Sequence, residues 1–141
     1  MSKILVIEDD QISRKLLMKT LEKMGHAVLQ ASTGVRGLHA LQDNPDVAMI
    51  VTDLMLPELS GQELVRTIRG NSSWLNLPIL MVSGVIQLKE IVHILELGAS
   101  RFLPKPVNVS DLKAYVSSCL SPKEMDRTLT EEAELSREVE I

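Results

Sequence analysis

Val47-Ala48-Met49-Ile50-Val51-Thr52-Asp53 is the stretch on which the reading of this chain turns. Its apolar side chains do not alternate with polar ones, so both faces of the strand predicted over 47–52 must be buried. Two buried faces mean helices packed on each side of the sheet, the arrangement of parallel α/β folds. The run then stops at an acid, Asp53.

Working outward, the same alternation of strand and helix signals fills the chain. Ile4-Leu5-Val6-Ile7 predicts a strand that ends in Glu8-Asp9-Asp10. Further strands are expected over Ala27–Ala31, over Ile79–Val82 ending at Ser83, and over Arg101–Leu103 ahead of Pro104-Lys105-Pro106. Between them, apolar residues recur at helical spacing. Ile12, Leu16, Leu17, Leu21 and Met24 share a predicted inner face, closed by Gly25. Ser32 or Thr33 caps a helix carrying Val35, Leu38 and Leu41. A loop with Pro57 and Gly61 precedes a helix with Leu64, Val65 and Ile68, and Gly70–Pro78 is a longer connection holding the single tryptophan, Trp74. The helix over Ile86–Leu97 is closed by Gly98, and the last, Ser110–Leu120, takes Ser110 as cap and turns Leu112, Tyr115, Val116 and Cys119 inward. These are five βα units: a single doubly wound five-stranded parallel sheet flanked by five helices, with right-handed crossovers.

Composition narrows the function classes. The chain has 141 residues, enough for one domain, and is 45% hydrophobic and 24% charged. A single cysteine excludes an internal disulfide framework and fits a reducing compartment, so a cytoplasmic location is expected. No apolar run is long enough to span a membrane, and the opening residues lack signal-peptide features. The net charge of −4 resides between Pro122 and Ile141, where three bases meet seven acids. The remaining body is neutral, with twelve of each, and 2% aromatics offer few stacking platforms; direct nucleic-acid binding is not expected. His26, His39 and His93 have no metal-ligand spacing. The division expected is a domain over 1–120 and an acidic tail over 121–141, too short for a second core.

In open α/β sheets ligands bind beyond the C-terminal strand ends. There the prediction gathers Glu8, Asp9 and Asp10, then Asp53, Ser83 and Lys105. Acids crowded this closely repel one another unless a cation intervenes, and a hard cation with oxygen ligands, Mg²⁺ above all, suits them. A carboxylate so placed is a nucleophile toward phosphorus. An ammonium and a hydroxyl then meet the phosphoryl oxygens. Asp10 reads equally well as a helix cap.

The four pieces Ile4–Asp10, Asp53-Leu54-Met55-Leu56-Pro57-Glu58-Leu59-Ser60-Gly61, Met81-Val82-Ser83-Gly84 and Phe102-Leu103-Pro104-Lys105-Pro106 together resemble the receiver domain of bacterial two-component response regulators. The resemblance spans residues 3 to about 120. It implies a flavodoxin-like strand order 2-1-3-4-5 and a phosphorylation-activated switch, not a turnover enzyme. Asp53 would be the phospho-acceptor. Asp9, Asp53 itself and the Met55 carbonyl would hold Mg²⁺, with Glu8 acting through water. Lys105 would bind the phosphoryl oxygens across a cis Lys105-Pro106 bond, and Ser83 with Phe102 would form the switch. Glu8 stands where Asp is commoner, Ser83 where Thr is frequent, and Phe102 where Tyr is frequent. Met55 and Val85, both apolar, flank the place where water reaches an acyl phosphate, and a slow autodephosphorylation is expected.

The implied partners are a sensor histidine kinase or histidine phosphotransfer protein and an unidentified downstream protein, with neither nucleic acid nor membrane. In the fourth helix, Leu88, Ile91, Val92 and Leu95 are expected in the core. That leaves Ile86, Ile94 and Leu97, near Glu90, as an outward face for a partner or a homodimer. A phosphohydrolase of the haloacid-dehalogenase kind is the rival. It requires an acid two positions after the nucleophile, where this chain has Met55. A third alternative is a scaffold that is never phosphorylated, against which Asp9, Asp53 and Lys105 argue.

Overall fold

Each central strand buries side chains on both faces, and the two sets belong to different cores. The structure, a computed structural model, describes residues 1–84 and 86–121. Expectations about Val85 and the segment 122–141 lie outside the described residues. The chain runs β1 (Lys3–Ile7), α1 (Gln11–Lys23), β2 (Ala27–Ala31), α2 (Gly34–Asp43), β3 (Val47–Asp53) and α3 (Gly61–Arg69). A 3-10 turn (Ser72–Trp74) leads to β4 (Ile79–Ser83), α4 (Leu88–Leu97), β5 (Arg101–Pro104) and α5 (Val109–Leu120). The strands form one parallel sheet in the order β2-β1-β3-β4-β5. Fold class and strand order agree with the sequence reading.

On one face Leu5, Ile7, Ile50, Ile79 and Met81 pack with Leu41 of α2, Leu64, Val65 and Ile68 of α3, and Ile94 of α4. On the other, Ile4, Val6, Met49, Val51, Leu80 and Val82 meet Leu17 and Leu21 of α1 and Leu112, Val116 and Cys119 of α5. The period-two alternation within each strand is what divides one apolar run between two layers. Among the described residues, no helix is long and apolar enough to cross a membrane.

The helix starts follow capping chemistry. Asp10 accepts from the Ser13 N–H at 2.8 Å, Thr33 from Arg36 N–H at 3.1 Å, and Ser60 from Glu63 N–H at 3.2 Å. In α5 the cap is Asn108, which accepts from Asp111 N–H at 3.0 Å, in place of the expected Ser110. The cap lies two positions earlier than anticipated, and Ser110 falls inside the first turn of the helix.

Two helices depart from the sequence reading in their faces. In α1, Ile12 is 81% exposed and Leu16 is exposed too, while Leu17 and Leu21 are buried. At about 100° per residue Ile12 and Leu16 point away from the side shared by Leu17 and Leu21, and they line a pocket with Lys105, Pro106 and Val107 instead of meeting the sheet. In α4 the faces are inverted. Ile94 is fully buried, and Ile86 and Leu97 pack against the same cluster, whereas Leu88 is 75% exposed and Val92 and Leu95 are exposed. The outward face expected of Ile86, Glu90, Ile94 and Leu97 is therefore corrected: Ile94 is core and the exposed apolar residues are Leu88, Val92 and Leu95. The reason lies at the helix end. Gly98 takes φ 123° and Ala99 donates back to the Ile94 carbonyl at 3.2 Å, so the chain turns inward beneath Ile94. A helix apolar on most sides gives periodicity no means of choosing its inner face.

Candidate functional site

Three strand ends and one loop supply the site. Glu8 follows β1 directly and continues its ladder, donating its N–H to the Ala31 carbonyl at 3.0 Å. Asp53 closes β3, Ser83 closes β4, and Lys105 follows β5. Register places Asp53 beside Val82 and Ser83 beside Pro104, and Lys105 N–H donates to the Ser83 carbonyl at 2.7 Å. The Lys105-Pro106 peptide is cis. Glu8, Asp53 and Ser83 are buried, while Asp9 is exposed.

One ammonium joins the two buried acids. Lys105 Nζ donates to Asp53 Oδ2 at 2.7 Å and also to Glu8 Oε1. The other Asp53 oxygen, Oδ1, accepts from the Met55 N–H at 3.0 Å. Carboxylate oxygens of Glu8, Asp9 and Asp53 lie within 4.8 Å of one another, and Glu8 Oε2 is buried with no hydrogen-bond partner. An orphaned buried carboxylate oxygen is costly. An all-oxygen acid set with an unfilled acceptor fits a hard divalent cation.

The electrostatics separate the two acids. Burial pushes Glu8 up to about 7; the Lys105 hydrogen bond opposes this and the Asp53 charge adds to it. Burial acts on Asp53 in the same sense. There it is outweighed by hydrogen bonds from Lys105 and Met55 and by Glu8, and Asp53 is held below the usual carboxylate range. Burial lowers Lys105, but its bonds to Asp53 and Glu8 raise it overall. At neutral pH Asp53 is therefore ionised and Lys105 charged, with Glu8 partly protonated.

The loop after β3 brings Met55 into place. Leu59 N–H donates to the Pro57 carbonyl at 2.8 Å around Glu58, whose φ of 68° makes this a γ-turn on a non-glycine residue. Gly61 N–H returns to the Leu54 carbonyl at 2.8 Å, and a Cβ on Gly61 would stand 2.6 Å from Leu54 Cα. Only glycine permits that approach. The Met55 side chain points to solvent, 74% exposed. Phe102 is half-buried against the core on the α3–α4 side. Asp10 is the α1 cap and not part of the acid set.

Profile and structural comparisons decide the family. The description "Response regulator receiver domain" matches residues 4–117. The chain belongs to this family. A chemotaxis protein CheY homolog of Campylobacter jejuni is 33% identical over 119 residues, covering 84% of this chain and 92% of that protein. Chemotaxis protein CheY1 of Helicobacter pylori is 31% identical over 112 residues, with 79% and 90% covered. Among solved structures, a receiver domain protein from Clostridium thermocellum superposes with TM-score 0.81 at 28% identity, covering 89% of this chain and 98% of that one. The chemotaxis regulator CheY4 of Vibrio cholerae gives 0.78 at 28%, with 85% and 99% covered.

Receiver domains act as phospho-acceptor switches and generally bind Mg²⁺ at an acidic cluster; in this receiver such a cluster is formed by Glu8, Asp9 and Asp53. Sequence reasoning did not single out Arg14, whose Nη1 donates to the Glu8 carbonyl at 2.7 Å and whose Nε donates to Gln30 Oε1 at 3.0 Å. The signal was available: an arginine one turn after a helix cap reaches back to the rim. The Glu58 γ-turn was likewise unread, because nothing local distinguishes a glutamate that must adopt positive φ.

Proposed function

We propose that Asp53 accepts a phosphoryl group from a histidine kinase or histidine phosphotransfer protein and that the modified receiver signals through a partner protein. The observation that carries this reading is the two-sided hold on Asp53. Oδ2 is paired with Lys105 and Oδ1 with the Met55 N–H, inside an acid cluster with a buried unpaired oxygen, Glu8 Oε2. Such fixation supplies the in-line positioning on which phosphoryl transfer depends. An Asp53 carboxylate oxygen forms the new O–P bond while the donor's N–P bond breaks, and its electron pair returns to the imidazole nitrogen. Lys105 exchanges its contact with Asp53 for one with a phosphoryl oxygen, and the Ser83 hydroxyl donates to another.

Glu8, Asp9, Asp53 and the Met55 carbonyl are the groups that would hold Mg²⁺, which when bound neutralises charge on the phosphoryl oxygens. Glu8 must lose its proton to join that set. Ser83 and half-buried Phe102 carry the change toward α4 and β5, where Leu88, Val92 and Leu95 offer the apolar surface for the downstream partner. The receiver unit is assigned to 1–120 and the acidic tail to 121–141. The chain works in the cytoplasm as a switch, without multiple turnover.

The test is incubation with acetyl phosphate and Mg²⁺ followed by intact-mass and peptide analysis. One phosphoryl group on Asp53, absent from Asp53→Asn, is expected. Continuous release of phosphate without a lasting adduct would favour a hydrolase, and no adduct in the presence of Mg²⁺ would leave a scaffold. Met55→Asn is expected to shorten the lifetime of the adduct; an unchanged lifetime would remove Met55 from water control.

A further inference from the structure

Beside the acid cluster lies its electrostatic opposite. A cavity of about 260 Å³ opens between the end of β2 and the starts of α1 and α2, lined by Arg14, Gln30, Ala31, Ser32 and Arg36. Among the described residues both charged side chains of that lining are cationic, and no carboxylate lines it. Neither arginine forms an ion pair among the described residues. Arg14 is pre-positioned: Nε is held by Gln30 and Nη1 by the Glu8 carbonyl, which leaves Nη2 for a further acceptor. Arg36 sits in the first turn of α2, which has no acid of its own there. The partial positive charge of that helix start adds to the two guanidinium groups.

We propose that this cavity is an oxyanion subsite, taking a small phosphate- or carboxylate-bearing molecule between Arg14 and Arg36. The Arg36 fork matches the paired oxygens of either group, Arg14 Nη2 can donate to a further one, and the Ser32 hydroxyl is available as another donor. The volume exceeds that of a bare phosphate and admits a short organic acid or phosphate ester. Through the Arg14 bond to the Glu8 carbonyl, occupancy bears on the backbone that carries the acid pair. The subsite stands independently of phosphoryl acceptance at Asp53.

The test is an NMR titration of arginine Nε–Hε resonances with inorganic phosphate and, separately, succinate. Ionic strength is constant, and neither Mg²⁺ nor phosphodonor is present. Saturable shifts of Arg14 and Arg36 are expected, with a dissociation constant on the order of 1 mM for phosphate. Weaker binding of succinate would assign the site to phosphates, and stronger binding to carboxylates. Arg36→Gln, an exposed helical position where Gln is well tolerated, should weaken binding about fivefold or more. Lys113→Gln, at an exposed position of α5 that does not line the cavity, should leave it unchanged, which excludes a general effect of net charge. Linear, unsaturating shifts, or equal binding by Arg36→Gln, would overturn the proposal, and either result leaves the Asp53 reading intact.

Discussion

The strand-end rim and helix α4 are neighbours built on opposite logics. At the rim each acid is fixed by specific donors: Asp53 by Lys105 and the Met55 N–H, Glu8 by the same Lys105. In α4, apolar residues occupy both faces, and what separates Ile94 from Val92 is which of them the Gly98 turn draws under the helix. Polar sites are specified by chemistry that few residues satisfy, whereas apolar faces are specified by packing that many residues satisfy.

The largest effect should come from testing that asymmetry directly. Ile94→Asp buries an unpaired carboxylate and should destabilise the fold by about 3–5 kcal/mol, while Val92→Asp on the same helix should stay within about 0.5 kcal/mol. Paired urea melts check both; a larger loss at Val92 than at Ile94 would restore the face first expected from the sequence. Next, Lys105→Ala leaves two buried acids without their cation and should cost about 2–4 kcal/mol at pH 8. Acetyl phosphate labelling of Asp53 should also fall sharply.

A smaller effect concerns pH. Glu8 is raised in the folded state to about 7 from 4.5, so the folded protein binds more protons than the unfolded chain between those values. Stability without Mg²⁺ should therefore decline as pH rises through that window, by on the order of 1–3 kcal/mol from this residue. Asp53, lowered in the folded state, acts oppositely: its contribution is present above the ordinary Asp value and is lost as pH falls through its depressed one. Glu8→Gln should flatten the decline between pH 4.5 and 7 in thermal melts; an unaltered slope would place its origin elsewhere. The smallest effect belongs to the loop. Glu58→Gly relieves a positive φ and should stabilise by about 0.5–1 kcal/mol, since the strain at a non-glycine residue is offset against glycine's greater unfolded freedom. Denaturant midpoints measure it, and a loss would show the Glu58 side chain to be contributing.

The same contrast accounts for what the sequence made legible. Strand runs such as Ile4–Ile7 and Val47–Thr52, uninterrupted and ended by acids, specify a parallel sheet and its functional edge together. Glu8, Asp53, Ser83 and Lys105 could thus be gathered before any geometry was available. The inner faces of α1 and α4 could not, because Ile12 and Leu88 look identical to core residues until the packing around them is known. Asn108 displaced Ser110 as the α5 cap for a related reason: two competent caps stand two residues apart, and nothing local in the sequence distinguishes them.

Lys105 lies 52 residues beyond Asp53 and 97 beyond Glu8, on the segment after the final strand. During synthesis the acids therefore emerge first and the cation that organises them last. A chain interrupted before β5 carries mutually repelling carboxylates and no ammonium to align them. The alignment of Asp53 and Glu8 by their shared ammonium thus arrives only with the closing of the sheet.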